Sequence, residues 1–430
     1  MDPETPSENI TPPDDDKFFT KPILIIFITI VIDLIGFGIV IPVLPYYVGS
    51  ESFQATPMQL GLLVASFSIM QFIFSPIFGS ISDRYGRRPV LFFSLLGTSA
   101  GFLLVGFATT LWMVFAGRIL DGITGGNIST AQAYIADVTS RKNRAKGMGL
   151  IGAGFGLGFV LGPAIGGILS KYGNHVPFIF AGCMAFCNAI ALFIFLPESL
   201  KKNAGGEARK LNRFAELFNS LADARFRMVA IVNFLIVTGF SIMTTAFALY
   251  TLNRFGYTAE QNGYLFAYIG VLAVLMQGGI FGRLAEHMGE SKLVVIGCLL
   301  LAISLFAVPY VGPNFGGLIG LLIGIAFFSI GNSIATPALT SLASKHASEH
   351  EQGKALGVMQ SAASLARAVG PLLAGYLLNN SLGQSNSLAK IDDRLLQITF
   401  WTAAAILFVA FLLSFNFARK GGDETQLKAA

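Results

Sequence analysis

Residues 146–169 read KGMGLIGAGFGLGFVLGPAIGGIL, and residues 354–377 read KALGVMQSAASLARAVGPLLAGYL. A shift of 208 positions aligns the two segments, including the Gly-Pro pair in the middle of each. A second pair, GFGIVIPVLPYY at 36–47 and GFSIMTTAFALY at 239–250, aligns at a shift of 203 positions. Because the offset is nearly constant across distant segments, we interpret the chain as one duplication with two related halves.

The composition places this repeat in a membrane. Of the 430 residues, 53% are hydrophobic and 12% are charged, whereas soluble domains carry about 25% charged residues. Apolar runs of about 20 residues, the length that spans a bilayer, cover most of the chain. The fold class predicted is an all-α polytopic membrane protein. Its twelve expected helices are 22–48, 58–82, 89–108, 111–139, 145–171, 175–196, 227–253, 258–285, 292–311, 314–344, 351–379 and 396–418.

A polar segment at 197–226 divides the chain into two six-helix bundles, 22–196 and 227–418. Each bundle has an even number of helices, so the two halves keep one orientation, and such parallel repeats place the substrate site at their midplane seam. The dividing segment contains an amphipathic stretch, RFAELFNSLAD, which we predict to lie along the membrane surface. The remaining segments, 1–21 and 419–430, are predicted to be tails, of which the acidic, Pro-rich first is disordered.

The distribution of lysine and arginine predicts that both termini are cytoplasmic. Most of the 29 basic residues fall in the tails or in alternate loops on one side, and basic residues concentrate on the cytoplasmic side of a membrane. The exceptions in the opposite loops are Lys171, Arg254, Lys390 and Arg394. We expect an integral protein of a bacterial inner membrane. The net charge of +5 forms no basic stripe interleaved with aromatic residues, so no nucleic-acid partner is expected.

The segment GSISDRYGRRP at 79–89 joins the second and third helices on the predicted cytoplasmic side. Gly79 and Gly86 permit a tight turn. The charged residues beside them are Asp83, Arg84, Arg87 and Arg88. Ordinary positive-inside charge is the alternative explanation for the arginines, but GRLAEHMGESK at 282–292 looks like a degenerate second copy of the whole pattern.

Two helical segments of the first half have unusual composition. GRILDGITGGNISTAQAYIADVT at 117–139 carries Arg118 inside an apolar run. GAGFGLGFVLGPAIGG at 152–167 has small residues at helical spacing, which let helix backbones touch in lipid, and Pro163 bends the helix. Its glycines at these positions are Gly154, Gly158, Gly162, Gly166 and Gly167.

These segments resemble the major facilitator superfamily. The segment at 79–89 is similar to its signature loop, 117–139 to its fourth-helix motif, and 152–167 to the antiporter motif of its drug:proton antiporters. Together with DLIGFGIVIPVLP they resemble the tetracycline-efflux branch of the twelve-helix antiporters. The resemblance implies the major facilitator fold, with two bundles that rock around a central cavity.

The resemblance also implies a cytoplasmic latch. In it Asp83 would cap the eleventh helix near residue 351, and Arg84 or Arg88 would pair with Asp137. One departure concerns the third helix, where the tetracycline carriers have a central acidic residue and this chain has Ala100 or Gly101. The family therefore implies a drug-like cargo without implying tetracycline itself.

Asp33 is the most unusual residue of the first helix. It lies 11 residues beyond Pro22, about 16 Å along a helix and so near the midplane. A charge there costs about 2.5–3.5 kcal/mol on insertion scales, which makes it a functional candidate. Its counterpart in the second half, Ile236, is uncharged. We predict that Asp33 is the proton-coupling site, the alternative being a static ion pair with Arg118.

Other polar residues at similar depth are predicted to line the substrate cavity. These are Arg118, Asp121, Gln132, Asn233, Gln277, Gln360 and Arg367. Arg118 and Asp121 are three apart, so they meet on one helical face and Asp121 is either a cavity residue or a neutralising partner. Arg367 either binds an anionic or carbonyl group or pairs with an acid across the cavity. For the amides, interhelical hydrogen bonds are the alternative.

The sequence therefore predicts a proton-coupled antiporter that exports a small amphipathic or drug-like compound. The alternatives are a carrier of the same fold for a metabolite, sugar or lipid without proton antiport, and a membrane sensor. Neither a P-loop, a Ser/His/Asp set nor metal-ligand spacing is evident, so we expect no enzymatic activity, no metal and no cofactor beyond the proton gradient. The expected partners are a small molecule, protons and lipid, and we expect the protein to function as a monomer.

Overall fold

The computed structural model describes residues 20–140, 143–200, 224–346, 352–379, 387–388 and 390–429. Three predictions lie outside these residues: the disordered start of the chain, the amphipathic stretch near 213–223, and the capping of the eleventh helix by Asp83 near residue 351. The described residues form twelve helical spans: α1 (Lys21–Val48), α2 (Pro57–Tyr85), α3 (Arg87–Gly106), α4 (Leu111–Thr124 and Ile128–Val138), α5 (Arg144–Ser170), α6 (Val176–Phe195), α7 (Ala224–Phe255), α8 (Ala259–Leu275 and Phe281–Met288), α9 (Glu290–Ala307), α10 (Gly317–His346), α11 (Gln352–Leu378) and α12 (Asp393–Ala429).

Eleven of these spans are long and apolar enough to cross a membrane on their own, within the part of the chain that the structure describes. The exception is α4, which the sequence predicted as continuous. A 3₁₀ turn at Gly125–Asn127 divides it into two shorter segments. The break brings α4 onto α2, because a methyl group added at Gly126 would lie 3.0 Å from the Ser75 backbone nitrogen. The two α4 segments together make the twelfth span.

Repeated side-chain contacts confirm the duplication. The Tyr47 hydroxyl donates to the Val105 carbonyl oxygen at 2.8 Å, and the Tyr250 hydroxyl donates to the Val308 carbonyl oxygen at 2.9 Å. The shift of 203 positions relates Tyr47 to Tyr250 and Val105 to Val308. The caps of α2 and α8 repeat as well, since Thr56 with Gln59 and Thr258 with Gln261 form capping boxes at the two helix starts. The halves therefore share their internal packing as well as their sequence.

We use "proximal end" for the end of the bundle at which Lys21 begins α1, and "distal end" for the other. The two halves meet closely at the distal end, through α5 with α8 and through α2 with α11. A methyl group added at Gly167 would lie 2.9 Å from the Gly263 Cα, and one added at Gly375 would lie 3.2 Å from the Gly61 Cα. These two glycine contacts occupy equivalent places in the two halves, so the seal is nearly symmetric.

The halves separate towards the proximal end. Along α5, a methyl group at Gly167 meets α8 at 2.9 Å, one at Gly156 meets the Val274 side chain at 3.7 Å, and one at Gly152 meets no described atom within 4 Å. On α8, Gly278 likewise has no described neighbour at that distance. The two halves therefore pack closely at the distal end and lie apart at the proximal end, and we call the space between them there the cavity.

Candidate functional site: the seam between the two halves

Aromatic rings form the distal floor of this cavity. The Phe37 and Phe159 ring centroids are 6.3 Å apart, those of Phe159 and Phe240 are 5.8 Å apart, and those of Phe240 and Phe328 are 5.7 Å apart. Phe37 also lies 5.7 Å from Phe67. The chain of rings crosses from the first half to the second, and its three central members, Phe37, Phe159 and Phe240, are partly accessible. They offer an apolar surface at the centre of the seam.

Asp33 lies on α1 one turn proximal to Phe37. The residue is partly accessible, and its carboxylate interacts with the Asn127 amide and lies within electrostatic range of Asp121. Among the described residues, no lysine or arginine forms an ion pair with it. The static pair with Arg118, the alternative that the sequence left open, is therefore absent from the described part of the structure.

Arg118 is instead paired with Asp121. The Arg118 Nη1 donates to the Asp121 Oδ2 at 2.6 Å, and the guanidinium lies 4.5 Å from the centroid of the Phe67 ring. Both residues are buried, with 3% and 4% of their surface exposed. Asp121 thus neutralises Arg118, and Asp33 is left as the carboxylate without an ion-pair partner among the described membrane-spanning residues of the first half.

Arg367, on α11 of the second half, has no carboxylate within ion-pair distance among the described residues. Its Nη2 donates to the Ser364 hydroxyl at 2.9 Å, and the residue is partly accessible. The sequence left two interpretations open for Arg367. The described residues do not show one of them, the ion pair with an acid across the cavity.

The remaining predicted cavity residues divide into two groups. Asn233 is buried and donates to the Met359 carbonyl oxygen at 3.3 Å, which ties α7 to α11 inside one half. Gln132 and Gln360 are partly accessible, and Gln277 is exposed on the π turn Met276–Ile280 of α8. Asn233 therefore forms the interhelical hydrogen bond that was the alternative for the amides, and the cavity role of Gln132, Gln277 and Gln360 stays a prediction.

The proximal loop between α2 and α3 is organised around Arg87. Its Nη1 lies 2.5 Å from the Asp83 Oδ1, and its Nε lies 3.1 Å from the Asp137 Oδ2. The prediction that Arg84 or Arg88 pairs with Asp137 was wrong. Arg84 lies 5.3 Å from the Tyr85 ring centroid, and Arg88 donates to the Phe193 carbonyl oxygen. Arg87 is the first residue of α3, so its side chain points back across the loop towards α4.

Glu198, which the sequence analysis missed, holds the start of α3. Its Oε1 accepts from the Arg87 backbone N–H at 2.9 Å, and its Oε2 accepts from the Arg88 N–H at 3.0 Å. A carboxylate at a helix start satisfies free N–H groups and the helix dipole. Gly86 makes this possible, because its φ is +103° and an added methyl group would lie 2.6 Å from the Glu198 Oε2.

We expect Gly86→Ala to destabilise the protein because it combines backbone strain of about 1–3 kcal/mol with loss of the Glu198 cap. The matched control is Gly289→Ala in the second half, where φ is +77° but an added methyl group meets no described atom within 4 Å. Thermal unfolding of the purified protein in detergent should show a larger drop for Gly86→Ala. Equal drops would mean that the Glu198 contact contributes nothing.

The predicted antiporter-motif glycines have two different partners. Added methyl groups at Gly154, Gly158, Gly162 and Gly166 would meet α1, at distances between 2.7 and 3.1 Å. Gly167 instead meets Gly263 of the other half. Next to it the carbonyl of Pro163 lies 2.6 Å from a methyl group added at Gly263. The motif therefore packs α5 within its own bundle and also forms half of the distal seal.

Polar contacts reinforce the distal seal. The Tyr46 hydroxyl of α1 donates to the Tyr257 carbonyl oxygen at 2.9 Å and accepts from the Asn262 amide. At the surface the Lys171 Nζ lies 2.8 Å from the Glu260 Oε1. The hydrogen bond to Glu260 raises the pKa of Lys171. The stabilisation that this ion pair gives is therefore complete below the normal lysine pKa and is lost as the pH rises through the raised pKa.

Comparison with known proteins agrees with this architecture. The model of the Major Facilitator Superfamily matches residues 26–347 and 278–429. The class H tetracycline resistance protein of Pasteurella multocida is 33% identical over 93% of this chain and 97% of its own length. Multidrug resistance protein 2 of Bacillus subtilis is 31% identical over 84% of this chain and 89% of its own. The crystal structure of the human organic anion transporter MFSD10 (TETRAN) covers 92% of this chain and 99% of its own at 26% identity, with a TM-score of 0.67.

Proposed function

The chain belongs to the major facilitator superfamily, and within it to the branch that contains the tetracycline resistance proteins, and on this premise we propose that it is a proton-coupled antiporter that exports small amphipathic, drug-like compounds. The single observation that carries the proposal is the position of Asp33. Among the described membrane-spanning residues of its half Asp33 is the carboxylate without an ion-pair partner, and it lies beside the Arg118–Asp121 pair and one turn proximal to the aromatic floor.

The proposed orientation follows the basic residues. The proximal end carries the basic loops, including Arg84, Arg87 and Arg88, and we assign it to the cytoplasm. Both termini then lie in the cytoplasm, in a bacterial inner membrane, and the conformation described is the one that faces the cytoplasm. Transport proceeds when the halves rock: α5 and α8 close at the proximal end as the distal glycine seal opens.

Asp33 couples this motion to protons through the cost of burying charge. When the cavity closes around an empty site, a carboxylate in apolar surroundings is more stable in its protonated form. A cationic group of the cargo beside Asp33 favours the ionised form, so cargo binding releases the proton. Proton and cargo thus occupy the site alternately, which is the requirement for antiport. We further propose that the protein works as a monomer, uses no cofactor and catalyses no covalent chemistry.

Uptake into proteoliposomes under an imposed pH gradient tests this function. The relatives' names suggest tetracycline as one test compound, and we choose the cationic aromatic dye ethidium as a second, drug-like one. We expect at least one to accumulate against its concentration gradient, and accumulation to stop when an ionophore dissipates the pH gradient. Accumulation that is unaffected by the ionophore would contradict proton coupling, and no accumulation of either compound would contradict drug export.

A further inference from the structure

The two halves present opposite charges to the cavity between them. In the first half, Arg118 and Asp121 cancel, and Asp33 leaves one negative charge. In the second half, the residue equivalent to Asp33 at the shift of 203 positions is the buried apolar residue Ile236. There Arg367 leaves one positive charge, with the Ser364 hydroxyl as its hydrogen-bond partner and no ion-paired carboxylate among the described residues. The cavity is therefore a dipole across the seam.

The two charges lie at nearly the same depth. A methyl group added at Gly162 would lie 2.7 Å from the Ile35 carbonyl oxygen, and one added at Gly370 would lie 2.9 Å from the Thr238 carbonyl oxygen, which are equivalent contacts in the two repeats. Asp33 lies two residues proximal to the first reference level, at Ile35. Arg367 lies three residues proximal to Gly370. A methyl group added at Gly370 would also contact Ser241, just as one added at Gly162 would contact Gly38, the repeat equivalent of Ser241. Counted from Ile35 or from Gly38, Asp33 lies two or five residues proximal to the shared level and Arg367 lies three, so at 1.5 Å per residue their Cα atoms differ in depth by about 3 Å at most.

The aromatic floor fills the space between these depths and the distal seal. Phe159 is the repeat equivalent of Arg367, and it lies at the seam against Phe37 and Phe240. Arg367 occupies the corresponding place on the opposite side. A molecule that rests on the Phe37, Phe159 and Phe240 rings therefore has a carboxylate at one end and a guanidinium at the other. Pockets of this kind bind an apolar body and fix its orientation through a few polar groups.

From this arrangement we propose that the cargo is an amphoteric aromatic compound, with a cationic nitrogen that pairs with Asp33 and a carboxylate or similar acceptor that pairs with Arg367. The proposal rests on the function proposed above and names the class of cargo. It is compatible with antiport, because the cationic end replaces the proton on Asp33 while the acceptor end is held separately. A planar guanidinium suits a carboxylate in particular, since two N–H groups can donate in parallel.

Three related probes test the proposal by equilibrium dialysis against the purified full-length protein in detergent. The first is 6-(aminomethyl)-2-naphthoate, which carries both charges on a rigid aromatic body. Its methyl ester keeps only the cation, and its N-acetyl derivative keeps only the anion. We expect the wild type to bind the first probe most tightly. The variants are Asp33→Asn, Arg367→Gln and Arg367→Lys, and the matched control is Arg394→Gln, which removes one exposed positive charge of the same half outside the cavity.

Each variant should lose one end of the recognition. Arg367→Gln should weaken the amphoteric and anionic probes by roughly tenfold to a hundredfold, the range for a hydrogen bond to a charged group, and leave the ester unchanged. Asp33→Asn should weaken the amphoteric probe and the ester and leave the N-acetyl derivative unchanged. Arg367→Lys should recover part of the anion affinity, and Arg394→Gln should bind all three as the wild type does.

Each of these two variants is expected to bind one probe as the wild type does, the ester for Arg367→Gln and the N-acetyl derivative for Asp33→Asn. Retained binding of that probe shows that the variant is folded. Equal losses of all three probes, unchanged binding of the anionic probe by Arg367→Gln, or a wild type that does not prefer the amphoteric probe would overturn the proposal. These outcomes are distinct from failure of the proposed function. Gradient-driven accumulation of ethidium with no preference for the amphoteric probe contradicts this inference alone, whereas the expected binding pattern without proton-driven transport contradicts antiport alone.

Discussion

Replacing Asp33 by Asn should abolish accumulation and leave exchange at a saturating concentration of the compound intact. With the membrane potential clamped at zero, a pH gradient of one unit can sustain a concentration ratio of about ten for one-to-one exchange. We expect proteoliposomes with the wild-type protein to approach this ratio for a transported compound, and those with Asp33→Asn to reach only equal concentrations. The amide has nearly the same shape as the carboxyl group but carries no exchangeable charge, so the rocking motion continues without coupling.

Two measurements make this result specific to Asp33. Counterflow, in which labelled and unlabelled compound exchange with no pH gradient, should persist in Asp33→Asn when the compound is supplied at a saturating concentration, and show that the site still binds. Glu51→Gln, which removes an exposed carboxylate near the distal end of the bundle, should accumulate compound as the wild type does. If Asp33→Asn retains full gradient-driven accumulation, the coupling site lies elsewhere.

Replacing Gly167 by Val should shift the conformational equilibrium towards a distally open state. An added methyl group would lie 2.9 Å from the Gly263 Cα and 3.0 Å from the Glu260 carbonyl oxygen. Both are backbone atoms, so α5 and α8 must separate to relieve the overlap. Overpacking of this kind typically costs about 1–3 kcal/mol, which corresponds to a population shift of roughly 5- to 150-fold.

The shift can be measured by thiol labelling in a background in which Cys183, Cys187 and Cys298 are replaced. A cysteine in place of Ile41, one turn distal to Phe37, should react slowly with an impermeant maleimide added from the distal side. Gly167→Val should accelerate that reaction by a factor of roughly 5 to 150, the size of the population shift. Gly375→Val, at the equivalent contact of α2 with α11, should act similarly.

The control for this measurement is Ala153→Val, on an exposed face of the same helix, which should leave the labelling rate unchanged. A labelling rate in Gly167→Val equal to that of the control would contradict the assignment of the glycine contact as the distal seal.

Much of the fold could be predicted because its causes are local or repeated. Apolar runs of membrane-spanning length define the helices, and the shift of 203 positions appears in the sequence as GFGIVIPVLPYY and GFSIMTTAFALY and in the structure as the Tyr47 and Tyr250 hydrogen bonds. The break in α4 could not be predicted in this way. Hydropathy does not distinguish a 3₁₀ turn from an α-helix, and Gln71, whose Nε2 donates to the Gly125 carbonyl oxygen at 3.0 Å across the break, is a single amide in an apolar run.

The charged residues of the site could be predicted from the sequence, but its aromatic floor could not. Asp33, Arg118, Asp121 and Arg367 stand out because charge in a membrane is rare. Their pairing did not follow from sequence, since Asp33 and Asp121 were both possible partners for Arg118. The aromatic floor is formed by a few of 39 phenylalanines. One signal for it was present, because Phe37 and Phe240 are equivalent residues of the repeat.

The proximal loop illustrates the limit of spacing arguments. Three arginines follow Asp83 within five residues, and the sequence pattern does not say which one reaches Asp137. The positive φ of Gly86 makes Arg87 the first residue of α3 and directs it to Asp83 and Asp137. Glu198 was missed because it lies in the polar segment after α6, where a carboxylate is unremarkable in sequence but holds a helix start in three dimensions.

Proton release on binding tests the central claim, that cargo and proton compete at Asp33, most directly. The purified protein in weakly buffered detergent solution is titrated across the neutral range with a compound that it transports, and the released protons are counted with a pH-sensitive dye. The account predicts release by the wild type in proportion to the compound bound, and no release by Asp33→Asn at matched occupancy. Binding by the wild type without proton release, or equal release by Asp33→Asn, would contradict it.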